Sequence, residues 1–244
     1  MNEADKLSKY LNTYFETLEM GGSGGSNINL PPYDLMPHDY LSFVDKDNIY
    51  DTKSSIINTV GHLKRALECQ LDVLLFVLGL DTNRSYSHNI PKKLDFLDNL
   101  GLLTQESFKK LNTIRNNIEH KYYLPDKEEL DTFYDLTFSL INSIEWFILS
   151  FSYFQEMEFT SDMDELKTSK TIFFEANYSL KIPSINFCIG IYEKEEILSF
   201  NANNYDEFIF AFSTYILLIK STSVINKTLF LKEFNCLHER LNKK

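Results

Sequence analysis

Apolar residues recur at helical spacing along residues 53–78: Ile56, Ile57, Val60, Leu63, Leu67, Leu71, Leu74, Leu75 and Leu78. Steps of three and four sustained over this length bury one face only if the backbone is an α-helix lying on a core. Gly79 follows and is placed to cap the C-terminus. A second long pattern begins after Pro125. Asp126 and Glu129 have the spacing of a capping box, by analogy with its Ser/Thr form. Leu130, Phe133, Tyr134, Thr137, Leu140, Ile141, Ile144, Phe147, Ile148 and Phe151 then make the inner face of a helix running to about Phe154. Two shorter helices fit between. Pro91 can start PKKLDFLDNL, which Gly101 ends. Thr104 N-caps a helix from Gln105 to about Tyr122, with Glu106 in its first turn. Residues 53–155 therefore read as a helical bundle with short connections.

The pattern changes after residue 160. TIFFEANYSL, SINFCIGIY and EEILSFN are short aromatic and β-branched runs separated by turn residues, as in a small antiparallel meander. Two helical segments follow, at about 205–220 and 226–241. Near the N-terminus, Leu7, Leu11, Tyr14, Phe15 and Leu18 form one helical stripe. Residues 21–26 read GGSGGS and hold four of the eight glycines. This is a flexible linker composition, read as an engineered linker and set aside from fold reasoning. The expected fold is mainly α: a helical bundle with a C-terminal α+β appendage containing a small antiparallel sheet. The expected boundaries are an N-terminal helix at 1–20, the linker at 21–26, a helical domain at 27–158 and an α+β region at 159–244.

An apolar fraction of 43% in 244 residues is enough for a packed core. The N-terminal stretch MNEADKLSKY contains acidic residues and has no apolar core of a signal peptide. The most apolar run, LDVLLFVLGL, is far shorter than the roughly 18 residues that a membrane span needs. The three cysteines, Cys69, Cys188 and Cys236, are too widely spaced for a disulfide framework or a metal-ligand pair. The reading is a cytoplasmic protein away from membranes. With the linker removed, Gly61, Gly79, Gly101 and Gly190 are scattered, which excludes a phosphate-binding glycine loop or a dinucleotide turn. Cys236-Leu-His238 has no partner pair for zinc, and no cofactor or metal is expected.

The net charge of −11 argues against nucleic acid at first sight. Its distribution is uneven. Residues 84–125 carry seven basic side chains against four acidic ones, whereas the segments on both sides are acidic. This basic window contains TIRNNIEHKYYLP, residues 113–125. On a helix, Asn116 and His120 share a face, and Arg115 and Glu119 form the neighbouring pair at the same spacing. Leu111, Ile114 and Ile118 make the buried stripe. Arg115 and His120 stand roughly 140° apart, so in one straight helix they do not converge on one atom. As a purely structural feature, the segment is a polar helix end with Arg115 paired to Glu119 and His120 beside the helix dipole.

The Arg115-Asn116-x3-His120 spacing, its place late in a helix and the long helix after it resemble the HEPN superfamily of all-α domains. Lys121 and Tyr122 after His120 are similar to the His-x-Tyr ending of HEPN toxins paired with nucleotidyltransferases. The resemblance covers about residues 53–155 and implies a HEPN-like bundle. It further implies metal-independent RNA cleavage, in which the 2′-hydroxyl attacks the adjacent phosphate and leaves a 2′,3′-cyclic phosphate. His120 would serve as general acid or base, Arg115 would hold the phosphate oxygens, and Asn116 would orient the imidazole or phosphate. Lys109, Lys110 and Lys121 are candidate RNA-backbone contacts. The family habit of dimerising through these helices would let two chains complete one cleft. An antitoxin or regulatory partner is also implied, with Tyr122 a possible modification site. The expected function is an endoribonuclease of a toxin or antiphage-defence system; the alternative is a non-catalytic HEPN scaffold or nucleotide- or RNA-binding module.

Overall fold

The structure is a computed structural model. It describes the chain except residues 48–51, 88, 103–109, 111, 112, 114, 115, 118–120, 122, 162–171, 192, 193 and 244. In chain order its elements are α1 (Glu3–Tyr14), β1 (Glu19–Gly24), α2 (Pro37–Asp47), α3 (Lys53–Val77), α4 (Arg84–Ser87), α5 (Ile90–Asn99), α6 (Lys127–Tyr153), β2 (Glu156–Ser161), β3 (Ile172–Ser179), β4 (Ser184–Ile191), β5 (Lys194–Asn201), α7 (Tyr205–Ser221) and α8 (Lys227–Asn242). They fall into two compact units, residues 29–148 and residues 1–28 with 149–244.

All the described elements of the unit 29–148 are helices. Their ends are set by local chemistry. Thr52 and Ser55 form a reciprocal capping box at the start of α3. Past its end, Gly79 takes φ 66°. Its N–H donates to Phe76 O at 2.9 Å, and that of Leu80 to Leu75 O at 2.8 Å, a Schellman motif that satisfies two of the last carbonyls. The pattern repeats at the end of α5, where Gly101 has φ 69° and Leu102 N–H donates to Leu97 O at 3.0 Å. Asn89 caps the start of α5. At α6, Glu129 N–H donates to Asp126 Oδ1 at 2.9 Å and Asp126 N–H donates to Glu129 Oε2 at 3.2 Å. Leu63, Leu67, Leu71 and Leu74 of α3, Leu94 and Leu97 of α5, and Phe133, Ile141 and Ile144 of α6 are all buried, as their spacing requires. α2 packs along α3, with Phe43 meeting His62 edge-on at 5.3 Å.

The other unit is built on a five-stranded antiparallel sheet in the order β1-β2-β3-β4-β5. Its inner face carries a diagonal of phenylalanines: Phe159 to Phe174 at 5.9 Å, Phe174 to Phe187 at 5.7 Å and Phe187 to Phe200 at 5.8 Å. α1 packs against that face. The Tyr10 ring stacks on Phe174 at 6.1 Å, and its hydroxyl reaches the carbonyls of Phe173 and Gly190 at 2.5 and 3.1 Å. Phe208, Phe212 and Tyr215 of α7 gather around Tyr178.

This arrangement corrects the expected fold class. The sheet is not confined to a C-terminal appendage, because its first strand is Glu19–Gly24. The glycine-rich stretch that composition marks as a linker is thus largely edge strand β1, paired to β2 through backbone groups that need no side chain. Gly25 explains part of the composition: a Cβ there would lie 1.9 Å from the Ser152 carbonyl oxygen. The sequence pattern assigns no strand to Glu156–Ser161, where β2 forms. The mainly helical character holds in part, with α1, α7 and α8 joined to the sheet in one unit.

Candidate functional site

Lys110, Thr113, Asn116, Asn117 and Lys121 are helical. At 100° per residue, positions 110, 113, 117 and 121 fall on one side of a helix, and position 116 falls to the side. Lys110, Thr113 and Lys121 are exposed, while Asn116 and Asn117 are half-buried. The expected residues Arg115, His120, Lys109 and Tyr122 lie outside the described residues.

Tyr123 donates its hydroxyl proton to Glu129 Oε2 at 2.7 Å. That bond, followed by burial and then by the charges of Glu129 and Asp126, raises the phenol above its ordinary range. The same Glu129 carboxylate accepts Asp126 N–H in the α6 capping box, and Pro125 is buried. The exit of the motif is therefore tied to the first turn of α6 through one carboxylate. Sequence reasoning found the capping box but not Tyr123, whose only signal is its position three residues before the cap.

A second concave feature was not read from the sequence. A cleft of about 520 Å3 opens between the segment holding Tyr33, Asp34 and Tyr40 and the face of α3 that carries Glu68, Cys69 and Asp72. Arg65 adds to the same wall, completing an i, i+3, i+4, i+7 stripe that could have been noticed as a polar face on an apolar helix. Asp72 makes a short ion pair with Lys93 of α5, whose side chain is nearly buried. Cys69 Sγ donates to the Leu35 carbonyl at 3.6 Å. Burial, reinforced by Asp72 and Asp39, pushes that thiol up to about 11, so it stays protonated and is not a nucleophile near neutral pH.

Elsewhere, His238 Nε2 lies 3.1 Å from Asp5 Oδ1 and Cys236 is exposed. His38 Nε2 lies 2.7 Å from Glu145 Oε1, joining α2 to α6. Among the described residues no helix is long and apolar enough to cross a membrane. Comparison with known protein families, with curated proteins and with solved structures finds no match to the chain.

Proposed function

We propose that the helical unit is a HEPN-type endoribonuclease that cuts RNA without a metal, within a toxin or defence system. The observation that carries this reading is the Arg115-Asn116-x3-His120-x-Tyr122 spacing in a unit whose described elements are all helices. Support also comes from the helical state of Asn116, Asn117 and Lys121 and from the fixed exit at Tyr123. The surrounding basic window supplies local attraction for phosphate in an acidic chain.

In this reading, His120 takes the 2′-hydroxyl proton or returns a proton to the leaving oxygen. Arg115 holds the phosphate as charge develops. Asn116, off the Lys110–Lys121 side, positions the imidazole or the phosphate. The angular gap between Arg115 and His120 is met by a homodimer whose two motifs share one cleft. Lys109, Lys110 and Lys121 contact the RNA backbone, and an antitoxin or regulatory partner controls the activity, with Tyr122 a possible point of modification. The net charge of −11 favours the second reading, a non-catalytic scaffold or nucleotide- or RNA-binding module.

The test is RNA cleavage by the purified chain beside His120→Ala and Arg115→Ala, with the ends mapped. Cleavage leaving a 2′,3′-cyclic phosphate, lost in both variants, supports the nuclease. Absence of cleavage together with retained RNA binding by all three proteins leaves the scaffold.

A further inference from the structure

We propose that the cleft between the Tyr33–Tyr40 segment and α3 binds a small organic cation carrying at least two protonated amines, of the polyamine class. This is independent of the nuclease reading. The volume of about 520 Å3 lies within the usual range for small-molecule sites. The walls combine phenol rings with carboxylates, the chemistry that selects an organic ammonium: a ring face attracts the cation and its methylenes, and a carboxylate accepts its N–H bonds.

The sign of the local field is negative. Tyr33 and Cys69 sit in the lining on opposite walls, and both titrate above their ordinary range. Burial is the first cause for each; Asp72, Cys69 and Asp81 add at Tyr33, and Asp72 and Asp39 add at Cys69. Lys93 offsets Asp72, and Arg65 is the opposing cation of the lining. With Lys64 beside Glu68 they make three cations against five carboxylates: Asp34, Glu68 and Asp72 in the lining, and Asp39 and Asp81 near it.

Two carboxylates remain to receive a ligand, one on each wall. Among the described residues Asp34 has no ion-pair partner. Glu68 has Lys64 at 3.8 Å, an exposed i, i+4 pair that is easily displaced. Opposed carboxylates on two walls fit a chain with separated amines better than a single point charge. A metal ion fits less well, because among the described residues no group of three His, Cys, Asp or Glu side chains could hold one.

The experiment is calorimetric titration of the full chain with spermidine near physiological salt, beside two double variants checked for folding by circular dichroism. Asp34→Asn/Glu68→Gln removes the cleft carboxylates. Glu158→Gln/Glu175→Gln removes the same charge from the sheet. Saturable one-to-one binding, weakened at least tenfold by the cleft pair and unchanged by the sheet pair, supports the proposal. Unsaturable uptake, equal weakening by both pairs, or no weakening by the cleft pair overturns it. If the cleft pair does not fold, Tyr33→Leu, which keeps every charge, decides: a loss of at least fivefold is expected, and unchanged affinity overturns the proposal.

Discussion

The rings of Phe15 and Phe230 stack with centroids 3.9 Å apart and planes 22° from parallel. Phe15 follows α1, and Phe230 lies in the first turn of α8, so this contact joins residues from near the two ends of the chain. Both side chains are buried. Phe230→Ala should cost about 3–5 kcal/mol of stability, and Phe15→Ala a similar amount. Because they share one contact, the double variant should lose less than the sum, by about 0.5–1.5 kcal/mol. Urea unfolding of the four proteins measures this directly; strict additivity would mean that the stack contributes nothing beyond burial.

Gly25 tests whether the glycine-rich stretch is structural. Its backbone lies where a side chain would strike the Ser152 carbonyl, whereas a Cβ on Gly22 meets only the end of Glu158 at 3.9 Å. Gly25→Ala should destabilise by about 1–3 kcal/mol, and Gly22→Ala should stay within about 0.5 kcal/mol of the parent. Equal midpoints for the two variants would argue for a loose connection at residue 25.

Glu175 gives a pH signature. It stands in the row Glu158, Glu175, Cys188 and Ile197, across four strands on the face opposite the buried phenylalanines. Burial first, then Glu158, Glu195 and Glu156, raises its carboxyl above the ordinary range. An acid bound more tightly to its proton in the folded state lowers stability as pH rises from the unfolded to the folded pKa, and the penalty then stays. Glu175→Gln should therefore raise the unfolding midpoint at pH 7. The gain should vanish below about pH 4, where the carboxyl is protonated in both states. Denaturant curves at pH 7 and pH 3.5 check the sign.

The capping box of α6 links the motif's exit to the helix. Asp126→Ala should cost about 0.5–2 kcal/mol through the lost bond to Glu129 N–H. Tyr123→Phe removes only the hydroxyl that meets the same Glu129 carboxylate. If that tie positions the motif for catalysis, Tyr123→Phe should lower the cleavage rate with little change in thermal midpoint. Cleavage kinetics beside a melting curve separate the two effects.

Much of the helical unit was legible in the sequence. The start of α5 near Pro91, the glycine stops at 79 and 101, and the Asp126–Glu129 cap depend on neighbours within a few residues, which sequence order already contains. The strands Ile172–Ser179, Ser184–Ile191 and Lys194–Asn201 were legible for the same reason, since alternation marks a half-buried strand. The candidate site was legible only as a spacing. The bond of Tyr123 to Glu129 and the opposition of Tyr33 to Asp72 depend on where elements pack, and no local pattern announces them.

The sequence by itself determined where α3, α5, α6, α7 and α8 start and stop to within a residue or two, which of their faces are apolar and at what interval Arg115, Asn116 and His120 stand, because these follow from local hydrogen bonding and periodicity; it assigned no helix to Pro37–Asp47 or Arg84–Ser87. Only the tertiary structure decided that Glu19–Gly24 is a strand, that residues 1–28 belong with 149–244, and that a cleft opens beside α3. A glycine-rich strand has little preference of its own. It becomes one because β2 offers an unpaired backbone edge, and a close approach at Gly25 leaves no room for a side chain.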